Sequence, residues 1–167
     1  MLTQEVNDRY TKVGPGTPMG ELMRRYWHPV AAVSQMNDKW TMKVRLLGED
    51  MILYKDRSGT FGMMEPHCAH RRMNMIYGIP EEHGLRCPYH GWLYDCNGNI
   101  LETPPERNDA IMKSVKIRSY PVQKFVGLYW AYMGPVPAPV IPHYDVWVRK
   151  DGHRKIFLQP QLDCNWV

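Results

Sequence analysis

The residues best suited to chemistry are Cys68-Ala69-His70 and Cys87-Pro88-Tyr89-His90, two short motifs that each carry one thiol and one imidazole, with sixteen residues between them. Thiolate and imidazole both bind soft or borderline metal ions, so two loops of this kind can hold a metal centre. Ordinary burial accounts for any one Cys or His, but poorly for four in this register. A structural zinc site would use the same donors, yet Cys₂His₂ sites usually take both cysteines from one knuckle and both histidines from a helix. Here each loop is mixed. That mixture favours a [2Fe–2S] cluster in which both cysteines bind one iron and both histidines bind the other.

The other candidates lie outside this register. Cys96 and Cys164 read as buried thiols, and His67, although it precedes a ligand, reads as a loop residue. His28, His83, His143 and His153 show no pairing and read as solvated or structural. Trp92 is expected to pack beneath the second motif rather than to touch a substrate. Arg71 is expected to contact a backbone or a neighbouring subunit.

The elements that must position the two motifs are strands. Trp40, Met42, Val44 and Leu46 alternate with polar residues at the period of a half-buried strand. Met51 to Tyr54, Phe61 to Met64, Trp92 to Tyr94, Ile100 to Glu102, Val115 to Arg118 and Leu128 to Met133 add further short runs, with Asn97-Gly98 as the strongest hairpin signal. A hairpin is also predicted where Asp145 to Val148 and Lys155 to Leu158 flank Asp151-Gly152. Before the strands, Thr17 can cap a short helix that begins at Pro18, with Glu21 in its first turn and Arg24 and Arg25 near its end; Gly20 argues against it. The proline-rich stretch from Gly134 to Pro142 marks a boundary.

The 167 residues suffice for one sizeable core, and 44% apolar with 23% charged residues excludes disordered and fibrous classes. The net charge of +4 is spread along the chain without a basic block, which argues against a nucleic-acid partner. The most apolar window, Phe125 to Ile141, is interrupted by prolines and too short to span a bilayer, so no membrane segment is expected. The opening residues lack the pattern of a secretory signal, which predicts a cytoplasmic protein whose cysteines are not a disulfide framework.

The chain resembles the Rieske domain of ring-hydroxylating oxygenases, and its phthalate-dioxygenase-like branch in particular. The resemblance rests on Gly14-Pro15-Gly16-Thr17-Pro18-Met19-Gly20, Arg25-Tyr26-Trp27, Arg45-Leu46-Leu47-Gly48-Glu49-Asp50, Cys87-Pro88-Tyr89-His90-Gly91-Trp92 and Trp130-Ala131-Tyr132-Met133-Gly134-Pro135. It implies a mostly β fold of antiparallel sheets with two cluster-binding hairpin loops, Cys68 and Cys87 on the inner iron, and His70 and His90 on the outer one. Thr103-Pro104-Pro105 would form a third loop shielding the cluster. Members from respiratory complexes lock their loops with a disulfide at positions that here hold Met73 and Tyr89, which places this chain with the oxygenases and at the lower end of the Rieske range of about −150 to +300 mV. Arg71-Arg72-Met73 departs from the Arg-Gly of many relatives and bears on the shape of the first loop.

The resemblance further implies a lead with a short helix over 1–38, the cluster domain over 39–135, and over 136–167 a linker with the first strands of an α+β catalytic domain truncated at Val167. In the parent enzyme that domain would hold mononuclear Fe(II) on two histidines and a carboxylate and act with O₂ on an aromatic substrate. Electrons would come from a flavin- and NAD(P)H-dependent reductase, directly or through a ferredoxin, and the subunits would assemble as trimers. No catalytic residue is assigned within this chain. The rival readings are a free-standing Rieske ferredoxin, which needs little more than Trp40 to Gly134, and a colourless zinc-stabilised interaction module.

Overall fold

The computed structural model describes residues 2–106 and 109–158. Three antiparallel sheets make up the body. In the first, β1 (Trp27–Ala32) pairs with β11 (Leu128–Tyr132), which pairs with β10 (Val122–Phe125). The second orders β2 (Thr41–Leu46), β3 (Glu49–Lys55), β4 (Phe61–Met64) and β9 (Ser119–Tyr120). The third orders β5 (Ile79–Glu81), β6 (Gly84–Arg86), β7 (Leu93–Tyr94) and β8 (Ile100–Glu102), and it carries the two Cys/His motifs at its end. The mostly β, antiparallel fold expected from the sequence is the one observed.

The predicted N-terminal helix forms as α2 (Pro18–Met23). Thr17 Oγ1 accepts from Gly20 N–H at 3.2 Å, and Pro18 occupies the first turn. Gly20 is required there: a Cβ would lie 2.3 Å from Gly14 O and 2.6 Å from Thr17 Oγ1. Arg24 does not remain at the helix end in water. It turns inward to place Nη1 2.6 Å from Glu49 Oε1, and Arg118 closes on Glu49 Oε2 at 2.8 Å, so one buried carboxylate ties α2 to the second sheet. A further helix, α1 (Gln4–Thr11), precedes it, capped by Thr3.

Core side chains fall into connected clusters. One joins Ile52, Tyr54 and Met64 of the second sheet to Leu85, Tyr94 and Ile100 of the third, and Cys68, Cys87 and Trp92 belong to it. Another joins Trp27, Trp130 and Tyr132 to Ile141, with Ala138 and Trp147 packed against it, and Trp27 Nε1 donates to Pro139 O at 2.7 Å. The proline-rich stretch therefore lies on the β1–β11 face.

Two expected strands are corrected. Asp145–Val148 is a short helix, α4, because Val146 and Val148 face solvent while Trp147 packs its ring 5.1 Å from that of Trp130. Lys155 to Leu158 form no strand; Ile156, Phe157 and Leu158 are exposed, and no hairpin forms around Asp151-Gly152. Val115 to Arg118 contributes only the isolated bridge of Lys116 with Asn99, and regular pairing resumes in β9. A short helix, α3 (Ala110–Ser114), precedes that segment. Cys164 and the strand expected at 164–167 lie outside the described residues. Among the described residues, no helix is long and apolar enough to cross a membrane.

Candidate metal centre

The first motif lies on the connection from β4 to β5, where an antiparallel bridge between His67 and Asn74 closes the loop 68–73. The second lies on the turn from β6 to β7, where the pair Arg86 and Leu93 closes the loop 87–92. The two loops are equal in length and share one hydrogen-bond pattern. Cys68 N–H donates to Met73 O at 2.9 Å and Arg72 N–H to Cys68 O at 3.0 Å; Cys87 N–H donates to Trp92 O at 2.8 Å and Gly91 N–H to Cys87 O at 3.1 Å. The fifth residue of each loop is left-handed, Arg72 at φ 60° and Gly91 at φ 78°. Only Gly91 takes this conformation without steric cost. Arg72 thus holds the shape that the missing glycine would otherwise supply.

Matched backbones bring the four candidates together as pairs. Both cysteines are 1% exposed, as free thiols, while the rings of His70 and His90 meet edge to face with centroids 4.5 Å apart nearer the surface. Burial pushes the Cys68 thiol above its ordinary pKa, against the Tyr94 hydroxyl, which favours the thiolate. For His90, partial withdrawal from water holds the imidazole below its usual range, as do the charges of His70 and Arg71; Glu106 acts in the opposite sense.

Neighbouring side chains fix the ligand candidates. Trp92 stacks on His70, ring centroids 4.9 Å apart and planes within 4°, which confirms its place beneath the loops. Tyr94 OH accepts from Ala69 N–H at 3.1 Å, which leaves its own proton to donate to Cys68 Sγ, also at 3.1 Å. Arg86 donates from Nη1 to Gly91 O at 2.7 Å and is held by Glu81 of β5 at 2.9 Å and Glu102 of β8 at 2.8 Å, so it ties the second loop to the two outer strands of the third sheet. Tyr89, exposed, lies over His90 with ring centroids 3.8 Å apart. Thr103 is buried, and Pro104 lies against Gly91, where a Cβ would be 3.3 Å from Pro104 Cγ.

These surroundings suit a binuclear cluster. The donors brought together here are two buried thiols and two imidazoles, the donor set of a cluster with one thiolate-bound and one imidazole-bound iron. His70 Nδ1 is buried without a hydrogen-bond partner, whereas its Nε2 faces outward, 3.9 Å from Glu106 Oε1. A buried imidazole nitrogen with no partner is costly unless it coordinates. His67 sits in a bridge and Cys96 on the turn beyond β7, neither in the donor set. The roles of Tyr94, Arg86 and Glu106 were not read from the sequence. The Tyr94 position, two residues beyond Trp92 in an inward-facing register, is the one signal that could have marked it.

Residues 26–123 match the family described as Rieske [2Fe–2S] domain. The chain is 49% identical over its full length to the 5,5'-dehydrodivanillate O-demethylase oxygenase subunit of Sphingobium sp., and spans 40% of that protein. It is 38% identical over its full length to the phthalate 4,5-dioxygenase oxygenase subunit of Pseudomonas putida, and spans 39% of it. In structure it resembles an oxygenase chain in the reduced complex between oxygenase and ferredoxin in carbazole 1,9a-dioxygenase, with a TM-score of 0.64 over 80% of this chain and 33% of that one; at 23% identity this likeness speaks for the fold alone. The chain thus spans about two fifths of the curated relatives it matches. The family match covers more than half of its residues, and the chain belongs to the Rieske [2Fe–2S] domain family.

Proposed function

We propose that this chain is the electron-transfer domain of an oxygenase subunit, with Cys68 and Cys87 holding the inner iron and His70 and His90 the outer iron of its cluster. The observation that carries the ligand assignment is His70 Nδ1, buried and unpartnered beside a pair of buried thiols. When bound, the cluster supplies a one-electron carrier whose neutral imidazole ligands make reduction easier than in an all-thiolate cluster. The protein does the rest. Trp92 and the core beneath it keep water from the thiol side, Tyr94 OH donates to Cys68 Sγ, and Arg86 holds the second loop in register. The partly exposed His90, under Tyr89, offers the short path by which an electron enters or leaves.

The relatives' lengths support a longer parent protein, in which 136–167 would lead into a catalytic domain holding mononuclear Fe(II). The names of the two relatives support an aromatic acid or aryl ether as substrate class. The donor in this proposal is a flavin- and NAD(P)H-dependent reductase, directly or through a ferredoxin, as the resemblance to ring-hydroxylating oxygenases implies. A trimeric assembly in the cytoplasm completes the proposal. Full-length similarity to oxygenase subunits favours it over a free-standing ferredoxin.

The test is composition. Purified from iron-supplied cells, the chain should be red-brown with two irons and two acid-labile sulfides per chain; stoichiometric zinc without sulfide would overturn the assignment. For the longer parent, the coding sequence beyond Val167 should contain an Asp/Glu-x-x-His-x-x-x-x-His pattern, and an uninterrupted reading frame without one would refute that part.

A further inference from the structure

The turn after β8 reaches both metal loops. It closes with Glu106 N–H donating to Thr103 O at 2.9 Å, and Pro104 braces it against Gly91 of the second loop. From that brace the Glu106 carboxylate extends to the first loop, where Oε1 lies 3.9 Å from His70 Nε2. Neither side chain is fully in water, at 20% exposure for His70 and 29% for Glu106. Glu102, the last residue of β8, is paired with Arg86 at 2.8 Å, but Glu106 has no Lys or Arg partner among the described residues. Among the described residues its carboxylate is thus the anion nearest the outer edge of the imidazole pair. The opposing charge is Arg71, which follows His70 and acts on His90.

We propose that Glu106 is a positioning residue that sets the reduction potential of this centre: its carboxylate holds the outer edge of His70 and favours the oxidised over the reduced state. The proposal rests on the reading of His70 as a ligand. Reduction by an external donor adds one electron and hence one negative charge behind the imidazoles. A fixed anion at His70 opposes that charge through a partly desolvated space, where screening is weaker than in bulk water, and the exposed cation of Arg71 favours it.

The test is a mediated redox titration of the cluster-loaded chain, followed by circular dichroism at fixed pH and ionic strength, after iron and sulfide analysis. Glu106→Gln should shift the one-electron equilibrium toward the reduced form about three- to tenfold, an upward shift of about 30–60 mV at about 59 mV per tenfold. Arg71→Gln should shift it the other way, and the double variant should return toward the parent. Glu5→Gln, which removes the same charge from α1, should leave the potential unchanged. A Glu106→Gln chain with full cluster and a potential within 1.5-fold of the parent equilibrium would overturn the proposal. If that variant loses its cluster, Glu106→Asp decides: an upward shift from the retracted carboxylate supports the proposal, and an unchanged potential overturns it. Failure of the ligand reading is separate, since the parent chain would then lack two irons and two sulfides before any potential is measured.

Discussion

Replacing Tyr94 by Phe removes one hydroxyl from a fully buried ring and disturbs little else, because the ring stays packed in the core that contains Cys68, Cys87 and Trp92. Two interactions go with it: the donation to Cys68 Sγ at 3.1 Å and the acceptance from Ala69 N–H at 3.1 Å. A hydrogen bond to a charged group is worth about 1.5–3 kcal/mol, and it strengthens as the acceptor gains negative charge on reduction. If about a third to a half of that energy distinguishes the two redox states, the variant loses about 1 kcal/mol of preference for the reduced form. With about 59 mV for each tenfold, or about 1.4 kcal/mol, that is a fall of about 40 mV. The Ala69 N–H also loses its acceptor, but Ala69 is exposed and water can replace it, so the loss of stability should stay below about 1 kcal/mol. Mediated redox titration reads the first effect and urea unfolding the second. A potential within about 10 mV of the parent in a chain with full iron and sulfide would show that Tyr94 OH does not donate to the sulfur.

Arg72→Gly should stabilise the chain by about 0.5–1 kcal/mol in urea unfolding, since relief of a left-handed arginine at φ 60° exceeds the added entropy of the unfolded glycine. Arg24→Met should cost about 3–5 kcal/mol, because Glu49, 7% exposed, keeps the half-exposed Arg118 and only a long hydrogen bond from Tyr120 OH at 3.5 Å; recovery in an Arg24→Met/Glu49→Gln double variant would show that the stranded charge carries the loss. Limited proteolysis should cut first within 149–158, which lacks regular structure and is exposed, and only later in 136–148, where Ile141 and Trp147 pack on the body; early cleavage at the prolines would contradict that packing. Supplied with a reductase and O₂, the 167-residue chain should take up electrons without forming product, and stoichiometric product would show that no further domain is needed.

Much of this arrangement is legible in the sequence because it is written in local chemistry. Thr17-Pro18 specifies a capped helix start, the alternation from Trp40 to Leu46 a half-buried strand, and Asn97-Gly98 the turn between β7 and β8. The two Cys/His motifs announce a metal centre by donor type alone. What stays hidden depends on partners distant in sequence. β1 contains His28-Pro29 and a register shift between Pro29 and Ala31, so no clean alternation marks it, and its pairing with β11 spans most of the chain. β5 likewise contains Pro80. Gly20 argues against a helix on propensity, yet the close approach of Gly14 O requires it. The turn signal Asp151-Gly152 suggests a hairpin with Asp145–Val148 as one strand, but only Trp147 finds a surface, and a helical turn lets one residue dock while Val146 and Val148 remain in water. The equal length of the loops 68–73 and 87–92 is masked by His70 standing second and His90 third after the cysteine. Arg86, Tyr94 and Glu106 carry no motif; their roles exist only once Gly91, Cys68 and His70 are placed beside them.

The division of the four ligands into a thiolate pair on one iron and an imidazole pair on the other is the central claim, and Mössbauer spectroscopy of the ⁵⁷Fe-loaded chain tests it most directly. Two iron sites of equal area should be resolved, one with sulfur ligands only and one with mixed nitrogen and sulfur ligands, and the reducing electron should localise on the mixed site because neutral imidazoles leave it less negative. His90→Cys should make the two sites more alike and lower the potential in whatever cluster it retains. Two equivalent iron sites in the parent chain, or a spectrum unchanged by His90→Cys in an intact cluster, would contradict the assignment.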